Sequence, residues 1–170
     1  MLKIFLAHVS TETINVITND AEGLTPLHCV CRGGGGAKRS VEMARLLLEK
    51  GADIDAKTNQ GQTSLMMACQ ANNVDLVRVL LTKLNETATN AQLDGTILSY
   101  ACANSSVDVV QLLCEEFQME IYTLNTCHWQ DESFAVPCAS PLEAACVAGQ
   151  LDTIFYLLRD QQALSLSLSR

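Results

Sequence analysis

Four groups of residues in this 170-residue chain have the types and spacing that could do chemistry. Gly33-Gly34-Gly35-Gly36-Ala37-Lys38-Arg39 combines glycines with two cations, as a phosphate cradle would. Such a loop, however, carries Gly-Lys-Ser/Thr after a strand. Here Ala37-Lys38-Arg39 follows a helical pattern, so the stretch reads as a flexible connector. Cys127-His128 with Cys138 suggests zinc, but adjacent ligands are awkward around one tetrahedral ion and a fourth ligand is missing. His28 could act as a base, yet no nearby spacing supplies the partners that role needs. Glu42, Asp75, Asp108 and Asp152 recur at one slot, and that recurrence is structural: a carboxylate in a helix's first turn favours the positive end of its dipole. With no nucleophile-and-base set, no enzyme activity, cofactor or metal is expected.

The elements that position these residues are short helix pairs. Thr25 can cap a helix, and Pro26 fits its first position, where no amide donor is needed. A second helix follows in which Val41, Ala44, Leu47 and Leu48 share one face, and Gly51 can take the left-handed conformation that stops it. That apolar spacing recurs as Val74, Val77, Leu80, Leu81; as Val107, Val110, Leu113, Cys114; and as Leu151, Ile154, Leu157, Leu158. The first helix recurs at Thr63-Ser64-Leu65, Thr96-Ile97-Leu98 and Ser140-Pro141-Leu142, where Glu143 completes a capping box with Ser140. Ser40, Asn73 and Ser106 hold the N-cap slot of the second helices. Thr63 and Thr96 are 33 residues apart, and the intervals of 38 and 44 on either side place insertions in the first and third units.

A period of about 33 residues is that of the ankyrin repeat. Gly-Leu-Thr-Pro-Leu-His (Gly23 to His28), Leu-Leu-Leu-Glu-Lys-Gly-Ala-Asp-Ile-Asp (Leu46 to Asp55) and Ser-Pro-Leu-Glu-Ala-Ala-Cys-Val-Ala-Gly (Ser140 to Gly149) resemble that family's signature. The likeness covers roughly residues 13 to 160. It departs at Ser64 and Ile97, which stand where proline is usual, and at Leu84, Phe117 and Gln161, which stand where Gly51 does; Asn85 could then cap the second unit. The resemblance implies an all-α fold, an ankyrin-repeat solenoid of stacked helix-turn-helix units with short hairpin fingers. It gives one array: a half repeat or N-terminal cap over 1–22, a repeat with a glycine-rich insertion over 23–58, repeats over 59–91 and 92–117, an enlarged finger over 118–139, and a last repeat and tail over 140–170. In the family, the histidine of Thr-Pro-Leu-His bonds to backbone and threonine, holding adjacent turns together. His28 is expected to do the same.

Eight cysteines could suggest a disulfide framework. Cys31, Cys69, Cys102 and Cys146, however, each follow their capping residue by six positions and so share one slot of the first helix. Neighbouring copies of that slot lie about 10 Å apart, beyond the ~7 Å Cα separation a disulfide tolerates. Reduced core thiols and a cytoplasmic or nuclear protein, not a secreted one, follow. A net charge of −8 and few clustered cations argue against nucleic acid or an anionic membrane surface. No apolar run is long enough for membrane insertion.

The partner expected is another protein or peptide, or further repeats and domains of a longer chain. In proteins that this one resembles, partners lie across the hairpin tips and the first-helix face. That assigns Ala21, Glu22 and Leu24, then Asn59, Gln60 and Gln62, then Gln92, Leu93 and Asp94 as tips, and Arg32, Gln70, Ala71, Ala103 and Asn104 as helix-face residues. Trp129, the only tryptophan, either packs under its own loop or anchors a partner. The resulting function is a non-catalytic scaffold or adaptor, with a regulatory or targeting segment of a larger enzyme or channel as the alternative. The alternating Leu164 to Ser169 tail suits a half-buried strand or a frayed end.

Overall fold

The computed structural model describes residues 14–18, 21–33, 36–86, 95–116 and 140–168, with the backbone alone for 95, 96 and 160–168. The helices are α1 (Pro26–Cys31), α2 (Ala37–Glu49), α3 (Ser64–Gln70), α4 (Val74–Glu86), α5 (Gly95–Asn104), α6 (Val107–Gln111), α7 (Pro141–Ala148) and α8 (Leu151–Leu168). A π-helical turn, Leu112–Glu116, follows α6 directly. Among the described residues there is no strand; Lys57 and Thr63 make an isolated antiparallel bridge.

The chain forms two compact units, Met1–Thr89 and Asn90–Arg170. In the first, α1 packs on α2 and α3, α2 on α4, and α3 on α4, so two helix pairs stack in register. In the second, α5 packs on α6 and α7, α7 on α8, and α8 on α6. Each core is what the repeating apolar slots supply. Leu27, Ala44, Leu65, Val77, Leu80 and Leu81 are buried in the first unit, and Leu98, Val110, Leu113, Ala144 and Leu157 in the second. Each large apolar side chain contributes about 1.5–3 kcal/mol when fully removed from water.

The helix ends follow local chemistry. Thr25 leaves extended backbone and its Oγ1 accepts from His28 N–H at 3.4 Å, with Pro26 at the first position. Thr63 caps α3 through Met66 N–H at 3.3 Å, and Asn73 caps α4 through Leu76 N–H at 3.2 Å. Ser140 and Glu143 form the reciprocal box on α7, at 3.3 and 2.9 Å. Gly51, at φ 86°, closes α2: its N–H reaches Leu48 C=O at 3.1 Å, and Ala52 N–H reaches Leu47 C=O at 2.9 Å.

Several expectations change. Gly36, at φ 82°, stands at the N-cap of α2, and Ala37, Lys38 and Arg39, all good helix formers, add a turn. Ser40 is therefore a buried helix residue and no cap, and Glu42 falls beyond the first turn. Ser106 holds the N-cap position of α6 without capping through its hydroxyl. Asn85 lies inside α4, because buried Leu84 carries the helix through to Glu86. The Leu164 to Leu168 stretch is helical: with Gln161 in place of a glycine stop, α8 runs on to Leu168. Leu151 and Leu158, expected inside, are 65% and 42% exposed, while Thr153 and Leu157 turn inward. Cys146 is exposed too, unlike Cys31, Cys69 and Cys102: among the described residues, α7 is packed by α5 and α8, and Cys146 lies off those contacts. The Leu2 to Val9 face and the 118–139 insertion, with Cys127, His128 and Cys138, lie outside the described residues.

Candidate functional site

Two fingers shape the candidate site. In the first, Thr18 N–H bonds to Leu24 C=O at 2.9 Å and Leu24 N–H to Thr18 Oγ1 at 2.8 Å, folding the arm that leads to α1. In the second, Thr58 N–H bonds to Gln62 C=O at 2.9 Å, and Thr58 Oγ1 accepts from Gln60 and Gln62 N–H at 3.3 and 3.2 Å. A single buried threonine thereby fixes the turn that presents both glutamines.

Asn59 stitches the fingers together. Its backbone N–H bonds to Glu22 C=O at 3.0 Å, and its side-chain amide donates to Ala21 C=O at 3.3 Å. Gly23 sits beneath it at φ 63°, where a Cβ would lie 2.5 Å from Asn59 Oδ1. Asn15 does the same one finger earlier, donating to Gly51 C=O at 3.2 Å and accepting from Asp53 N–H at 2.8 Å.

Between the fingers and the first helices lies an open cleft of about 390 Å³. Gln60, Gln62 and Gln70 supply amides on its walls, and Leu24, Met67 and Ala71 give it apolar surface. Arg32 at one rim forms a two-pronged ion pair with Glu22, Nη1 to Oε2 and Nη2 to Oε1, the latter at 3.2 Å. Both side chains are about half exposed, so the pair orients more than it stabilises. Each glutamine amide both donates and accepts. The cleft can therefore hydrogen-bond a polypeptide backbone while taking an apolar side chain against Leu24 and Met67.

Of the residues that sequence reasoning assigned to partner binding, Glu22, Leu24, Arg32, Gln60, Gln62, Gln70 and Ala71 line this one cleft. Ala21 and Asn59 stand beside it and are engaged with each other. Ala103 and Asn104 belong to the second unit, where Ala103 is only 8% exposed and the Asn104 amide donates to Tyr100 C=O at 3.0 Å. Gln92, Leu93, Asp94 and Trp129 lie outside the described residues. Thr58 and Met67 were missed. Met67 follows Thr63 by four positions, the same slot as exposed Cys29, and that register was the available signal.

His28 is wholly buried. Its Nδ1 accepts from Thr25 N–H at 3.2 Å and lies 2.9 Å from Thr25 Oγ1, so the ring nitrogen facing the cap carries no proton. Nε2 faces the Ala56 and Gln62 backbone without a hydrogen bond of regular geometry. Burial lowers the His28 pKa below the ordinary value, more than those backbone groups and Asp53 raise it. The ring is a neutral clasp between α1 and the second finger. Cys31 and Cys69 are likewise inert: burial pushes both thiols up to about 12, with Cys69 adding to the effect on Cys31.

A second groove, about 680 Å³, runs between α2 and α4. Half-buried Val41, Leu48 and Val79 line it, and four acids and four bases flank them, so neither sign of ligand is favoured. Among the described residues, no three His, Cys, Asp or Glu side chains gather as a metal site, and no helix is long and apolar enough to cross a membrane.

Residues 1–91 match the family model described as Ankyrin repeats (3 copies). Among solved structures, the chain is similar to the crystal structure of the human ASB11 ankyrin repeat domain, with 24% identity and a TM-score of 0.67. The match covers 93% of this chain and 62% of that one, so the chain spans less than two thirds of that domain's length.

Proposed function

The chain belongs to the ankyrin-repeat family, and from that premise we propose that it is a non-catalytic interaction module, a scaffold or adaptor that holds a protein or peptide across its finger tips and first-helix face. Ankyrin repeats are in general protein–protein interaction modules. One observation supports the site in particular: seven residues chosen by position in the repeat, as the family resemblance implies, converge on one cleft that carries three glutamine amides, the Glu22–Arg32 pair at its rim and an apolar patch of Leu24, Met67 and Ala71. That is the chemistry an extended polypeptide needs, since its backbone groups must be re-bonded as water leaves. The six described cysteines are all free, which supports a reducing compartment, the cytoplasm or the nucleus.

The test is affinity capture from cytosol by the wild-type chain beside a Gln60→Arg/Gln70→Arg variant that circular dichroism shows to be folded. Both side chains are exposed, so the fold tolerates the change. Loss of a specific protein from the variant supports the cleft as the binding site. Equal capture by both overturns that assignment.

A further inference from the structure

Among the described residues of its unit, the outward face of α8 has no apolar partner. Leu151, Phe155 and Leu158 are 65%, 68% and 42% exposed, and neighbouring Val147 on α7 is 71% exposed. Leu151, Phe155 and Leu158 are spaced i, i+4, i+7, the spacing of a helix–helix seam, whereas Thr153 and Leu157 on the opposite side are buried. The charges beside this seam are ordered. Asp152 and Arg159, both exposed, are seven residues apart and therefore lie on the same flank, one on each side of Phe155.

That arrangement is self-complementary. Two α8 helices laid antiparallel about a two-fold axis at Phe155 bring Asp152 of each opposite Arg159 of the other. Both ion pairs then lie on one side of the apolar seam, since equivalent flanks face each other in an antiparallel pair. Cys146 on α7 is exposed as well, in the slot where Cys31, Cys69 and Cys102 are buried. α8 itself runs as one helix from Leu151 to Leu168, so the seam lies on a continuous helical face. We propose that a second copy of this chain covers it, forming an antiparallel α8–α8 dimer centred on Phe155 with reciprocal Asp152–Arg159 pairs.

With only three large side chains per copy in the seam, the dimer is weak, with a dissociation constant on the order of 10–100 µM. Sedimentation equilibrium of the full chain tests it over a loading series spanning that range, reading the mass against the 18.4 kDa of one chain. The expected result is a mass rising towards twice that value, abolished by Phe155→Glu. Asp152→Arg or Arg159→Asp alone weakens association by roughly tenfold, as two attractions become repulsions. The exchange Asp152→Arg/Arg159→Asp restores it. These positions are exposed, so circular dichroism is expected to be unchanged in every variant. A mass that stays at one chain throughout overturns the proposal. So does a dimer indifferent to Phe155→Glu, or a double exchange no better than the single changes.

Discussion

His28 offers the sharpest test of how the repeat is held together. Its imidazole is fully buried, its Nδ1 accepts the Thr25 N–H, and burial depresses its pKa. Replacing it by alanine removes half of a reciprocal cap, about 1 kcal/mol, and leaves a void costing about 2–3 kcal/mol. Gln at the same position keeps the cap, since Glu or Gln is the usual partner of a capping threonine, and so is expected to lose only about 1–2 kcal/mol. The pH dependence separates the electrostatic account from simple packing. In the unfolded chain this histidine titrates near 6.5, and in the folded chain lower. Between those values the unfolded state binds the extra proton, so stability is greatest above 6.5 and falls as the pH drops. The limiting slope is about 1.4 kcal/mol per pH unit. Urea unfolding of wild type and His28→Gln at pH values of about 5.5, 6.5 and 7.5 isolates this slope, because every other group, His8 and His128 included, is common to both. Asp55 acts with the opposite sign nearer the carboxylate range, its carboxyl raised by burial and then by Asp53. A wild-type advantage over His28→Gln that does not shrink on acidification refutes the neutral clasp.

Other expectations follow from the same contacts. Gly23→Ala forces a side chain into the left-handed region and against the Asn59 amide, and is expected to cost about 1–3 kcal/mol in thermal or urea unfolding. Because Asn59→Ala removes part of that same conflict, the double variant is expected to be less destabilised than the sum of the two. Gly51→Ala, at φ 86°, is expected to lose about 1 kcal/mol by the same assay. Peptide-resolved alkylation of the native protein is expected to modify Cys29 and Cys146 quickly and to spare Cys31 and Cys69, whose thiolates form only near 12. Rapid modification of Cys31 would contradict the packing of α1 on α3.

The repeat register was legible because its signals are local. Thr25-Pro26, Asn73, Ser140 with Glu143 and Gly51 each act within one helical turn, so residue type alone gave their roles. Burial was less legible where it depends on what lies next door. Cys146 holds the same repeat slot as Cys102, yet among the described residues Cys102 is buried and Cys146 exposed, a difference set by neighbours and not by the slot. Ser40 misled for a different reason: a serine before an apolar run is a good cap, but Ala37-Lys38-Arg39 extends the helix by a turn and turns Ser40 inward. The cleft was legible as a set of fingertip and helix-face slots. Its Thr58 support was not, since a hydroxyl accepting two backbone amides is a property of turn geometry. Asn59 was legible as an exposed fingertip residue, but the bond from its amide to Ala21 was not, since the two are 38 residues apart.

The Asn59 stitch also sets an order of events during synthesis. The first finger turns through Gly23 on its own Thr18–Leu24 bonds, but the clamp over that turn comes from a residue 38 positions after Ala21. A ribosome adding about 5–20 residues per second needs roughly 2–8 s to deliver it. During that interval Ala21 and Glu22 have emerged without their clamp, and α1 has its own cap but no second finger against His28. The finger that later rims the cleft thus has only its own Thr18–Leu24 bonds on the nascent chain and gains its clamp when the next repeat arrives, so a pause in translation just before Asn59 would prolong the unclamped form.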